Sequence, residues 1–149
     1  MKLNKRSIMF IILTILWICV IFSFSMQNGE VSSQLSGGIV EKLVEWICPD
    51  GFEHTDLLET LTRKGAHFTE YFILGMLISQ TLKEVTSKRR VLLPWLVGTL
   101  VAYCDETIQL FSDGRAGRVT DVLIDSSGVL CGCVLLYILF KEIKDNKRA

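Results

Sequence analysis

Apolar positions in this chain gather into long uninterrupted stretches instead of alternating with polar ones. Ser7 to Ser25 carries no charge over 19 residues. At about 1.5 Å rise per residue, such a run crosses a hydrocarbon core of about 30 Å. Phe68 to Leu82 is apolar except for Glu70. Val91 to Cys104 is apolar and then meets Asp105 and Glu106, and Val122 to Phe140 is apolar except for Asp125. A soluble helical bundle needs a polar stripe along each helix, and the first, third and last segments have none. The pattern predicts an all-α fold: a single membrane domain over residues 1–149, built from four transmembrane helices at about 7–25, 66–82, 91–109 and 119–140.

The connection after the first span has a pattern of its own. Val31, Leu35, Ile39, Leu43, Trp46 and Ile47 recur at helical spacing, with Ser32 or Ser33 placed to cap and Glu41 and Glu45 off the stripe. This predicts an amphipathic helix in the first outer loop, on the membrane surface or capping the bundle. Cys48-Pro49-Asp50-Gly51 ends it with turn residues, and a second short helix is expected at about 55–62, leading into the second span. Lys2, Lys5 and Arg6 before the first apolar run resemble the start of a signal peptide. The run exceeds the usual 7–15 or so apolar residues of a signal, so an uncleaved span is expected.

Composition agrees with a membrane chain: 50% of residues are hydrophobic, and the mean hydropathy is +0.40. Such a chain is too apolar for disorder, and its 5 scattered cysteines make no disulfide scaffold. A formal net charge of zero argues against a nucleic-acid partner, but the zero conceals a segregation. The N-terminus, the link between spans two and three, and the C-terminal tail together hold 11 basic and 3 acidic side chains, a net of +8. The two remaining connections and their helix ends hold 5 basic and 13 acidic side chains, a net of −8. Basic loops stay in the cytoplasm, so both termini are expected inside and the acidic connections outside.

Three polar patches fall on the expected outer side. In Arg63-Lys64-x-x-His67-x-x-Glu70-Tyr71, Lys64, His67 and Tyr71 share one helix face and Glu70 can join it. In Asp105-Glu106-x-x-Gln109, Asp105 and Gln109 lie four residues apart. The third patch runs from Asp113-Gly114-Arg115 through Gly117-Arg118 to Asp121 and Asp125, a glycine turn entering a helix with two aspartates four apart. Ionisable groups at membrane depth are costly and mark a site by default. The bland alternative is that the charges pair with one another and hold the helices together.

Lys64-x-x-His67-x-x-x-Tyr71, Asp105-Glu106-x-x-Gln109, Gly114-Arg115 and Asp121 with Gly128, preceded by Phe24-Ser25-x-Gln27, resemble the VanZ-like family over nearly the whole chain. The family usually shows Asn where this chain has Asp125. The resemblance implies a multi-pass protein of the bacterial cytoplasmic membrane and a link to resistance against the glycopeptide teicoplanin.

The residues themselves suggest a site for a polar headgroup at the outer leaflet. Arg115 and Arg118 stand in the turn before a helix N-terminus, where guanidinium forks and free backbone N–H groups favour phosphate or carboxylate. His67 can exchange protons near neutral pH, oriented by Glu70, Asp105 or Glu106, with Asp121 a further candidate. Lys64, His67, Tyr71, Gln109, Arg115 and Arg118 are the candidate binding set, and a membrane lipid, a lipid-linked wall precursor or a lipoglycopeptide is the expected partner. No cofactor and no metal site is assigned.

Two alternatives stand beside this reading. In a metal-dependent membrane enzyme, His67 with Asp105, Glu106, Asp121 and Asp125 would offer ligands to Mg²⁺, Mn²⁺ or Zn²⁺. Gly117-x-x-x-Asp121-x-x-x-Asp125 is similar to half of the CDP-alcohol phosphotransferase signature, but Leu110 stands where its upstream aspartate belongs, and the match is coincidental. In a non-catalytic membrane scaffold, Gly128-x-x-x-Gly132 would pack helices, within the chain or in a homo-oligomer. The cysteines read as small apolar residues, and Cys131 and Cys133 point in different directions on a helix.

Overall fold

A computed structural model of the chain describes residues 3–29, 34, 37, 38, 42, 55–115 and 117–146. They form α1 (Lys5–Ser25), α2 (Thr55–Thr86), α3 (Leu92–Gln109) and α4 (Val119–Asn146), with no strand among the described residues. The expected outer-loop amphipathic helix and the Cys48–Gly51 turn fall outside the described residues.

The helices begin and end for local reasons. Asn4 caps α1 by accepting the Ser7 backbone N–H at 2.7 Å. Pro94 lies in the first turn of α3, where its missing N–H costs no helical bond. The expected break between a short helix and span two is absent: α2 is continuous over 32 residues. Arg63 and Lys64 interrupt the apolar pattern there but not helix propensity, since both are good helix formers.

By length and composition, two helices are able to cross a membrane: α1, and Val119–Lys141 within α4. The sequence pattern had predicted four. The first third of α2 is polar, and α3 reaches only 18 residues with Asp105 and Glu106 near its end. Exposure nevertheless runs opposite to that of a soluble domain. Ile12, Ile15, Leu16, Leu96, Leu100 and Leu123 are exposed, while Ser7, Thr14, Ser25, Asp105, Gln109 and Asp125 are buried. Apolar side chains facing outward around a polar interior suit a bundle whose solvent is lipid.

The helices run alternately up and down. The N-terminal half of α1 meets the C-terminal part of α2 through Ser7 Oγ to the Glu84 carbonyl (3.1 Å) and a Thr14–Thr81 hydroxyl pair (2.8 Å). Farther along, Trp17 Nε1 donates to the Glu70 carbonyl at 3.0 Å. At the opposite end, Ser112 Oγ donates to the Ser25 carbonyl at 3.0 Å. That end therefore gathers the close of α1, the first half of α2, the close of α3 and the start of α4.

The most extensive contact joins α2 and α4. A Cβ at Gly128 would collide with the Phe68 carbonyl oxygen, one at Gly132 with that of Phe72, and one at Gly75 with the Val129 backbone. Small residues let these two backbones touch. Gly128 and Gly132 thus pack α4 against α2 within the chain. Ser126 ties α4 to α3, accepting from Trp95 Nε1 at 3.0 Å and pairing with the Thr99 hydroxyl at 2.8 Å.

Candidate functional site

The three polar patches meet at one end of the bundle. From α2, Lys64, His67 and Tyr71 face α4, as their spacing predicted. Lys64 Nζ stands 3.9 Å from Asp121 Oδ1, and His67 Nδ1 stands 3.8 Å from Asp125 Oδ1. The first pair is partly exposed and contributes little. The second is too long for a hydrogen bond.

Tyr71, Asp105 and Asp125 are each fully buried, at 0% exposure. Asp105 Oδ2 accepts from Gln109 Nε2 at 3.2 Å, one helical turn on, as the four-residue spacing allows. The Gln109 amide also reaches Glu106 Oε1 at 3.2 Å and Ser25 Oγ at 3.4 Å. Gln109 thus gathers α1 and two acids of α3 around a single amide.

Several polar atoms at the centre have no hydrogen-bond partner among the described residues: Asp105 Oδ1, both Asp125 carboxylate oxygens, His67 Nδ1 and the Tyr71 hydroxyl. A buried polar atom left unpaired costs about 1–3 kcal/mol, and more when charged. Such a concentration in one place is the mark of a site, since protein interiors otherwise pair these groups.

The turn between α3 and α4 brings the cations. Gly114 adopts a positive φ of 72°, which favours a residue without Cβ. Arg115 follows half-buried, and its N–H donates to the Ser112 carbonyl at 3.2 Å. Burial draws the Arg115 guanidinium below its ordinary pKa; the charges of Asp105, Glu106 and Glu70 act against that and Arg63 adds to it. No carboxylate of the described residues lies within 4.0 Å of the Arg115 guanidinium to form an ion pair. It acts on the cluster as a field.

Glu106 and Arg118 take a more structural part than their residue types suggested. Glu106 Oε2 accepts the Arg118 backbone N–H at 2.8 Å and so holds the turn against α3, while the Arg118 side chain is exposed. Glu70 is half-buried and lies within electrostatic reach of Asp105 and Arg115. His67 senses Asp105, Arg115, Asp121 and Arg63.

The profile of the VanZ/LLP1 family matches residues 10–141. The chain belongs to that family. Neither the curated proteins nor the solved structures contain a match. VanZ/LLP1 proteins are membrane-associated, and the family is linked to glycopeptide resistance. The matched region includes every side chain of the cluster just described.

Two members of the cluster in this VanZ/LLP1 chain lie outside the candidate binding set: Asp125, which the sequence offered as a ligand in the metal alternative, and Ser25. Asp125 sits at its centre, and the four-residue step from Asp121 was the signal for it. Ser25 closes it from α1 through Gln109. The one sign of Ser25 was its place in Phe24-Ser25-x-Gln27.

Proposed function

We propose that this VanZ/LLP1 protein spans the cytoplasmic membrane four times, with both termini inside, and binds a phosphate- or carboxylate-bearing amphiphile at its outer face. The charge segregation along the sequence supports the topology. Helices α2 and α3 fall short in apolar length, yet both are packed between α1 and α4 and share their apolar exterior. A buried partner can carry polar residues that an isolated span cannot.

The observation that carries the binding reading is the half-buried Arg115 guanidinium, with no ion pair to a described carboxylate, beside buried acceptors that lack partners. A guanidinium fork grips phosphate or carboxylate with two parallel hydrogen bonds. Lys64, His67, Tyr71, Gln109 and the exposed Arg118 line the approach and contact the polar portion of the ligand. An acyl or polyprenyl chain on that ligand stays in the bilayer. An envelope lipid or a glycopeptide such as teicoplanin meets both demands, and capture of either alters the response to the drug. His67 moves a proton where the bound headgroup requires it, with Glu70 and Asp105 setting its charge state.

Alanine in place of Arg115, His67 or Asp105 is expected to abolish a glycopeptide-resistance phenotype while the protein still accumulates in the membrane. Full resistance in all three variants at normal protein level would rule the reading out.

A further inference from the structure

A His67 ring nitrogen, an Asp105 carboxylate oxygen and an Asp125 carboxylate oxygen lie within 4.8 Å of one another. Each comes from a different helix: α2, α3 and α4. Three features of this trio go beyond a chance meeting of acids.

The first is burial without compensation. Both Asp125 oxygens lack any hydrogen-bond partner among the described residues, as does Asp105 Oδ1, and both residues are at 0% exposure. Two carboxylates in a dry interior stay charged only when paired or coordinated, and otherwise take up a proton; a bound cation is the state in which both can remain ionised. The cations near them are ill placed for this. Lys64 is engaged with Asp121, and Arg115 makes no ion pair within 4.0 Å of any described carboxylate.

The second is the atom that His67 turns toward the acids. Its Nδ1 approaches Asp125 at 3.8 Å yet donates to and accepts from nothing. A neutral imidazole nitrogen aimed at two carboxylates is the arrangement of a ligand set, and a divalent ion replaces mutual contact by bonds of about 2.0–2.2 Å to each. Two such ligands on a tetrahedral or octahedral ion stand about 3.0–3.4 Å apart. The separations here, 3.8 Å from His67 Nδ1 to Asp125 Oδ1 and up to 4.8 Å across the trio, must draw in by roughly 0.4–1.8 Å to hold an ion.

The third is the support around the trio. Gln109 Nε2 holds Asp105 Oδ2 at 3.2 Å, fixing the carboxylate and leaving Oδ1 for a ligand. The Tyr71 hydroxyl, fully buried, lies one turn from His67 beside Asp105 and Asp125. It is placed to bond a ligated carboxylate or a water on the ion. Partners of this kind orient metal ligands from behind.

We infer that His67, Asp105 and Asp125 form a binding site for one divalent first-row transition cation, of the Zn²⁺ or Mn²⁺ kind. One imidazole with two carboxylates favours these over Mg²⁺ and Ca²⁺, which prefer all-oxygen surroundings. Three protein ligands leave at least one position for water or for an anionic group. Binding of the ion stands on the geometry alone. A part for it in headgroup capture rests on the reading proposed above, with the anion shared between the ion and Arg115.

The test uses the full chain in nanodiscs, stripped with chelator and then titrated with MnCl₂ and separately with ZnCl₂. Bound metal is counted by the loss of the free Mn²⁺ resonance and by elemental analysis. About one equivalent is expected. Asp125→Asn and His67→Gln each weaken binding at least tenfold, while Arg89→Ala, at the far end of the bundle, binds as the unaltered protein does. Zinc is expected to raise the melting temperature of the unaltered chain and not that of Asp125→Asn; this second readout compares each folded protein with itself. Binding below a tenth of an equivalent, or equal affinity in the unaltered chain and both variants, overturns the site. Arg115→Ala separates the two proposals. Metal retained with resistance lost supports both, and metal retained with resistance intact refutes the anion reading alone, while the ion site is judged on the unaltered chain and its Asp125→Asn and His67→Gln variants.

Discussion

The two ends of this bundle handle charge in opposite ways. At the end formed by the start of α1 and the close of α2, polar groups are largely settled, with Arg89 Nη1 the one buried side-chain atom there lacking a hydrogen-bond partner among the described residues. Glu84 accepts from Lys83 and from Gln80 at 2.9 Å, and the Lys83 hydrogen bond holds the Glu84 carboxyl below its ordinary pKa. Arg89 lays its guanidinium over the Phe140 ring, 3.6 Å from the centroid, and reaches Gln80 at 3.4 Å. Ser7 closes the junction on the Glu84 carbonyl. At the other end, Asp105, Asp125, His67 and Tyr71 are buried together and leave polar atoms unpaired. Charge at the first end is mostly met by neighbouring groups. The buried carboxylates at the other end are met less fully, and their cost is borne by packing elsewhere in the fold.

The packing that meets this cost is the α2–α4 seam. Gly75, Gly128 and Gly132 bring two backbones into contact, and that contact holds His67 of α2 over Asp125 of α4. The site is therefore carried on rigid helices, with only Arg115 and Arg118 on a turn.

Substitutions at the two ends are expected to differ in kind. The largest effect on function belongs to Asp105→Ala, with loss of the resistance phenotype at normal protein level; a susceptibility assay beside a membrane immunoblot checks it. Next comes Gly132→Leu, which overpacks the seam shared by both ends. A loss of about 1–3 kcal/mol or more is expected, read as a lower melting temperature in detergent and reduced accumulation. Asp125→Asn should move stability the other way. Removing an unpaired buried charge in metal-free protein raises stability by about 1–3 kcal/mol, and thermal unfolding in chelator measures it. Equal stability of Asp125→Asn and the unaltered chain would erase the contrast between the ends. The smallest effect is that of Arg89→Ala, a loss of about 0.5–1 kcal/mol from its cation–π contact, with the phenotype unchanged.

Much of this arrangement was legible in the chain before any coordinates. The uncharged run from Ser7 marked α1 to within two residues, because a helix with an apolar perimeter leaves no doubt about period. Charge segregation brought the three polar patches to one surface, and the contacts of Lys64 with Asp121 and of His67 with Asp125 bring them together in space. Other features depend on neighbours that no local pattern reveals. The helix through Arg63 and Lys64 continues because nothing there breaks it, although hydropathy suggested a boundary. Glu106 resembled a proton carrier by type and turned out to hold the Arg118 amide. The sequence offered Asp125 as one acid of the third patch; its place at the centre of the cluster follows from the close approach that Gly128 and Gly132 allow between α4 and α2.

Whether the Asp105 end is a working site, and not a set of stabilising contacts, is decided by His67→Gln, which preserves size and hydrogen-bonding capacity while removing the imidazole. Cells producing this variant at normal membrane level should lose glycopeptide resistance, while cells producing Arg89→Ala keep it. Equal resistance in both strains would refute a functional site at this end of the bundle.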